Sequence, residues 1–191
     1  MAAHSPQEST PPQPAAEPVT DAGIATPPIR IGHGYDLHRL EPLAPDGAGR
    51  PLVLGGIHLD HDRGPVAHSD GDALLHAVTD AILGACALPD IGELFPNNLD
   101  ENESRDSADF LNAALKAAAD AGYRPGNLDA TVILERPKLR DAKRQIRSRL
   151  AELLELPDEC VNVKGKTHEK VDAVGEGRAV EVHVVVLMVR D

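Results

Sequence analysis

The hydrophobic pattern changes period several times along the chain, and each change marks an element. Residues 29–35 (Ile-Arg-Ile-Gly-His-Gly-Tyr) read as a strand and residues 51–57 (Pro-Leu-Val-Leu-Gly-Gly-Ile) as its partner, with a Pro/Gly/Asp loop over 41–50 between them. Apolar residues then crowd 73–87, where Leu74, Leu75, Ala77, Val78, Ala81, Ile82 and Leu83 predict a buried helix. Ser69 is its expected N-cap, Asp72 stands three residues on as the reciprocal partner, and Pro89 lies past its end. Residues 90–106 read as a polar loop. Ser107 to Ala121, Ala-rich and stopped by Gly122, predicts a second helix, and residues 128–134 a strand.

Residues 139–156 predict an amphipathic helix. Leu139, Ile146, Leu150, Leu153 and Leu154 form its apolar stripe, while Arg140, Lys143, Arg144 and Arg147 read as a solvated face. Strands follow over 160–164 and 179–189. In the last one Val180, Val182, Val184 and Val186 alternate with Glu181, His183, Val185 and Leu187, so both faces turn apolar. Such a strand suits a sheet with helices on one face and another subunit on the other. The expected class is α+β, with helices packed on one face of a sheet.

Composition separates the first 28 residues from the rest. They hold seven of the sixteen prolines, no Lys or Arg, and the acids Glu8, Glu17 and Asp21. Such a segment cannot bury enough apolar surface to offset its ordering entropy, so we expect a disordered tail over 1–28 and one folded domain over 29–191. The tail lacks the apolar run of a signal peptide and the Arg-rich, acid-poor character of a transit peptide. With Cys86 and Cys160 as the only thiols, too few for a disulfide scaffold, it leads to a cytoplasmic expectation. No stretch approaches about 18 apolar residues, so no membrane span is predicted.

Charge and aromatic content narrow the partners. The 191 residues carry 31 acids against 19 bases, a net charge of −12, which argues against nucleic-acid strands and anionic membranes. Tyr35, Phe95, Phe110 and Tyr123 are the only aromatics, too few for base-stacking platforms. Nine histidines are the unusual feature, and six of them fall between His33 and His76.

Four groups of residues carry candidate chemistry. Asp36 and His38 sit at i and i+2 of a strand and so project together, as half of a metal site or as an ordinary surface pair. Asp72, His76 and Asp80 make a polar stripe on an otherwise apolar helix. His76 there is either a satisfied lone histidine or a third ligand whose tautomer a carboxylate one turn away fixes. His68 and Ser69 at the helix start suit a phosphate, or simply cap the helix. Lys164-Gly-Lys-Thr-His-Glu-Lys170 offers Lys164, Lys166, Thr167 and Glu169 to a polyphosphate and a magnesium ion, or is a charged turn.

Together, Ile31-Gly-His-Gly-Tyr-Asp-Leu-His38, Leu54-Gly-Gly56, Ala67 to Asp80 (Ala-His-Ser-Asp-Gly-Asp-Ala-Leu-Leu-His-Ala-Val-Thr-Asp), Asp90-Ile-Gly-Glu-Leu-Phe-Pro96, Pro137-Lys138 and Val161-Asn-Val-Lys164 closely resemble the 2-C-methyl-D-erythritol 2,4-cyclodiphosphate synthases. The match runs in order from about residue 29 to the end. The resemblance implies a phosphorus–oxygen lyase of non-mevalonate isoprenoid synthesis that releases CMP from a nucleotide-diphosphate substrate. It implies a homotrimer with sheets around a threefold axis and each active site between two subunits. It implies zinc on Asp36, His38 and His76, of which Asp36 and His38 also contact substrate, and Mg²⁺ or Mn²⁺ with the diphosphate at Glu169. By the same resemblance His68 and Ser69 hold the methylerythritol phosphate, and Asp90, Ile91 and Gly92 lie at the ribose. Leu134, Pro137, Lys138 and Arg140 belong to a cytosine pocket. Lys166 and Thr167 meet the diphosphate, and His68 and Thr167 stabilise the transition state. Asn97 stands where relatives often carry Asp, so 97–100 depart from the family pattern. Two other readings fit the same groups: a zinc phosphohydrolase, and a trimeric nucleotide-binding protein without turnover.

Overall fold

Period-2 patterning produces five strands that share one sheet, and three longer helices cover one of its faces. The structure, a computed structural model, describes residues 27–95 and 105–190. The expected tail falls mostly outside them. Pro27 and Pro28 are described and tied to the fold, since Pro27 O accepts from the Tyr123 hydroxyl (2.7 Å) and Pro28 O from Arg190 N (2.9 Å).

The order is β1 (Ile29–Pro42), β2 (Val53–Leu54), β3 (Ile57–His58), β4 (Arg63–Pro65), α1 (Ala73–Ala85), α2 (Ile91–Leu94), α3 (Ser107–Asp120), β5 (Tyr123–Ile133), α4 (Lys143–Leu153), β6 (Val161–Lys166), α5 (Asp172–Gly175) and β7 (Ala179–Arg190). The main sheet runs β4-β1-β7-β5-β6, antiparallel except for the β5/β6 pair. Helix α1 lies over β1 and β7, α3 packs on α1 and β5, and α4 packs on β6. The even residues of β7 from Val180 to Met188 point into this helical layer and are fully buried, as their alternation predicts.

The opposite face is different. Ile29, Ile31, Tyr35 and Leu37 of β1 and Val185 of β7 are 44–70% exposed, and none of the helices lies over them. Between them His33 Nε2 stands 3.4 Å from His183 Nδ1, and His183 Nε2 stands 2.8 Å from Glu181.

Two expectations are corrected. The 51–57 segment does not pair with β1. Gly55 and Gly56 take φ of +62° and +74°, the chain reverses, and β2 pairs only with β3. β1 meanwhile has β7 along one edge and β4 at its end. The N-cap of α1 is Asp72, not Ser69: its carboxylate accepts from Leu74 N and Leu75 N, both at 3.0 Å. Gly71, at φ +76°, turns the chain between the two candidates. The 90–106 loop contains the single turn of α2, with residues 96–104 outside the described set. The amphipathic helix begins at Lys143, later than expected, and buries Ile146, Leu150 and Ala151.

Candidate active site

Asp36 and His38 share the helix-facing side of β1 with Gly32 and Gly34. Those glycines let α1 settle onto the strand. A Cβ on Gly32 would lie 1.8 Å from Ala81 O, and one on Gly34 1.8 Å from Ala77 O. The approach brings His76 of α1 down onto the strand pair. His76 Nδ1 stands 3.1 Å from Asp36 Oδ2 and 3.2 Å from His38 Nε2, and His38 Nε2 stands 3.3 Å from Asp36 Oδ2.

These three atoms form a nearly equilateral donor set. Tetrahedral ligation at about 2.0–2.1 Å separates ligand atoms by roughly 3.3 Å, so two imidazoles and a carboxylate at this spacing fit a zinc-sized ion with one position left open. Among the described residues this is the one His/Cys/Asp/Glu cluster with such geometry. Burial pulls the His38 imidazole below its ordinary value, and the Asp36 charge opposes this only in part. Burial also works against charge on His76, but the hydrogen bond and charge of Asp36, with Asp72 and Asp70 behind, carry its net shift upward.

The other nitrogen of His76 does not meet a carboxylate one turn away. Asp72 is fully buried and accepts from Gly55 N (2.9 Å) and Gly56 N (2.6 Å) as well as from the α1 cap, while Asp80 accepts from Ile91 N (2.8 Å). Burial raises both carboxyls above their usual range. His76 Nε2 instead meets Ser107 Oγ at 2.9 Å and Ser69 Oγ at 3.3 Å. The Ser107 hydroxyl donates in turn to Asp70. Neither Asp70 nor Ser107 was expected at the site: Asp70 sits in the turn before α1, and the packing of α3 on α1 brings Ser107 to it.

A cleft of about 280 Å³ opens on the triad, and His68, Ser69, Ile91, Gly92, Phe95 and Phe110 line it further. His68 is exposed at its edge, whereas Ser69 is 7% exposed with its hydroxyl turned to His76. At the N-terminus of α1 the Asp72 carboxylate already takes two of the N–H groups a phosphate would use, those of Leu74 and Leu75. Asp90 does not line the cleft. It caps α2, accepting from Glu93 N at 2.9 Å.

A second cleft, about 360 Å³, lies past the ends of β5 and β6. Leu134, Lys138, Arg140, Lys166, Thr167 and Glu169 all line it, joined by Leu139, Lys143 and Gly165, which leaves Pro137 as the member of the expected pocket outside the lining. Four bases face one acid there, a local reversal of the chain's charge. Lys164 is not among them, because on the outer sheet face it pairs with Asp129 and holds that carboxyl below its usual range. Thr167 Oγ1 stands 3.3 Å from Glu169 Oε1. Glu169, Lys170 and Asp172 take φ of +52°, +65° and +62°. Such backbone costs on the order of 1–3 kcal/mol per residue, and Asp172 offsets part of it by accepting from Val174 N (2.8 Å) and Gly175 N (3.2 Å).

The two clefts share no lining residue, and β7 stands between β1 of the first and β5 of the second. Residues 97–100 lie outside the described set.

Comparison with known proteins places this arrangement. The YgbB family model matches residues 29–189. The chloroplastic 2-C-methyl-D-erythritol 2,4-cyclodiphosphate synthase of Oryza sativa subsp. japonica is 50% identical over 190 residues, covering 100% of this chain and 78% of the relative. The synthase of Rhodopirellula baltica is 47% identical over 162 residues, covering 85% of this chain and 94% of the relative. A Plasmodium falciparum IspF structure in complex with CDP superposes with a TM-score of 0.73 at 36% identity, covering 85% of this chain and 97% of that one. With both clefts and all but the last residue of the sheet inside the matched span, the chain belongs to the YgbB family of 2-C-methyl-D-erythritol 2,4-cyclodiphosphate synthases.

Proposed function

We propose that the two clefts are complementary halves of one active site, completed between neighbouring copies of a homotrimer. The reaction is that of the family. 4-Diphosphocytidyl-2-C-methyl-D-erythritol 2-phosphate becomes 2-C-methyl-D-erythritol 2,4-cyclodiphosphate and CMP. The observation that carries the shared-site reading is the division itself: a donor triad in one cleft, and phosphate-compensating bases in another that lies across β7. The uncovered apolar face of β1 and β7 supplies the trimer surface, with the sheets turned toward the axis.

An oxygen of the 2-phosphate attacks the β-phosphorus, the bond to the bridging oxygen breaks, and CMP leaves with that oxygen. No protein nucleophile takes part. The chain's task is to bring two polyanions in line and to neutralise them. Lys138, Arg140 and Lys166 offset the diphosphate charge, Leu134 and Leu139 wall the nucleotide end, and the Thr167 hydroxyl donates to a phosphoryl oxygen as charge builds. His68 does the same from the rim of the triad cleft, and Ile91 and Gly92 border the sugar. When bound, zinc at Asp36, His38 and His76 polarises and orients a phosphate, and Mg²⁺ or Mn²⁺ at Glu169 screens the diphosphate. A cytoplasmic setting rests on the two free thiols and the acidic segment before residue 29; the rice relative is named chloroplastic.

The direct test is CMP release by purified, metal-loaded protein given the substrate. Turnover is expected, with Thr167→Ala lowering kcat by about 100-fold, the scale of one lost transition-state donor. No CMP above background overturns the reading.

A further inference from the structure

The Asp70–Ser107 pair has no part in the proposed chemistry, yet it ends on the one ring nitrogen of His76 that the triad leaves over. Ser107 is fully buried at the first position of α3. Both of its polar groups turn to Asp70: its backbone N–H donates to Oδ2 at 3.1 Å, and its hydroxyl donates to Oδ1. Asp70 is itself fixed, donating its N–H to Arg105 O at 3.2 Å and accepting from Asp72 N at 3.1 Å.

The direction of the relay follows from the donor inventory. An ionised carboxylate only accepts, so the Ser107 proton goes to Asp70. The Ser107 oxygen then has only lone pairs left for His76 Nε2, 2.9 Å away. When Nδ1 serves as a ligand, the remaining His76 proton sits on Nε2, where the Ser107 oxygen accepts it. Resting on the reading of Asp36, His38 and His76 as metal ligands, we infer that Ser107 and Asp70 are positioning residues that lock His76 in its Nδ1-ligating tautomer and aim its ring. Ser69, at 3.3 Å from the same nitrogen and receiving the Gly71 N–H at 3.2 Å, is the weaker second acceptor. A hydroxyl interposed between carboxylate and imidazole does this without setting another full charge against the donor set.

The test has two arms. In zinc-loaded protein, the Nε2–H of His76 is expected to give a slowly exchanging nitrogen-15-correlated proton signal, which Ser107→Ala and Asp70→Ala are each expected to shift and to expose to exchange. A His76 that ligates through Nε2, or an Nε2–H signal unmoved by both variants, overturns the inference. In the second arm, zinc affinity is read by chelator competition. Ser107→Ala is expected to weaken it by about 10- to 100-fold at unchanged secondary structure, while Ser107→Thr, which restores the hydroxyl, recovers most of the loss. Affinity of Ser107→Ala within about twofold of the unaltered chain, with His76→Ala abolishing binding, sinks the relay and leaves the triad standing. If the unaltered chain takes up no zinc, it is the triad that fails.

Discussion

His38 Nε2 and His76 Nδ1 stand 3.2 Å apart, one on a strand and one on a helix, 38 residues distant in the chain. Two imidazoles that close to a carboxylate oxygen form a donor set that could hold a metal ion, and in such a set each donor depends on the others. Removing one leaves two ligands and a mis-set geometry. His38→Ala and His76→Ala are therefore each expected to lose zinc by elemental analysis and to lower turnover by at least about 100-fold. Full zinc occupancy in either variant refutes the ligand assignment.

A shared site makes a distinctive prediction about mixtures. His76→Ala spoils only the triad half, and Glu169→Ala only the basic half. In trimers assembled at random from equal amounts of the two, about one quarter of the sites combine two intact halves. Co-assembled mixtures are thus expected to release CMP at roughly a quarter of the unaltered rate, while the same proteins mixed after assembly stay inactive. No recovery on co-assembly places the whole site within one chain.

Asp72 holds four backbone N–H groups, two at the start of α1 and two at the Gly55-Gly56 turn. Losing the cap costs about 0.5–2 kcal/mol, and leaving buried donors unpaired adds about 1–3 kcal/mol. Asp72→Ala is expected to lower unfolding free energy by roughly 2–4 kcal/mol in denaturant titrations. A change under about 1 kcal/mol contradicts this role.

The pair between Asp129 and Lys164 sets a pH dependence on the acid side. Lys164 pulls the Asp129 carboxyl below its ordinary 3.8, so the folded chain holds the ionised form more firmly than the unfolded chain does. The stabilisation is present above that ordinary value and fades as pH falls through the lower folded value. The groups are largely exposed, which limits the gain to about 0.2–1 kcal/mol. Asp129→Asn is expected to be less stable than the unaltered chain at neutral pH, with the gap closing as pH falls from the ordinary carboxylate value through the lower folded one. A gap that stays constant across this range shows a cause other than charge.

Much of this molecule was legible in its sequence. Asp36 and His38 could be paired because i and i+2 share a strand face, and His76 stood out as polar on an apolar helix. Contacts that arise from packing were not legible. Nothing local in the chain joins Ser107 to His76 across 31 residues, because that meeting depends on how α3 sits on α1. Capping was misjudged because Ser69 and Asp72 are both good caps, and the turn at Gly71 decides between them. The 51–57 segment has the apolar content of a strand, but its paired glycines fold it back after two residues. The resemblance placed most residues of both clefts, while the division between them emerged only with the order of the strands.

The close seating of α1 on β1 has a further consequence. Gly32 and Gly34 set the height of His76 above Asp36 and His38. A side chain at either position would meet a helix carbonyl at 1.8 Å, where ordinary contact begins at 3.4 Å. The helix would have to lift, and the triangle of donor atoms would widen with it. A wider triangle suits oxygen-seeking ions with bonds of about 2.3–2.6 Å better than one bound at about 2.0–2.1 Å. Two residues outside the donor set thus gauge the size of ion that it could hold.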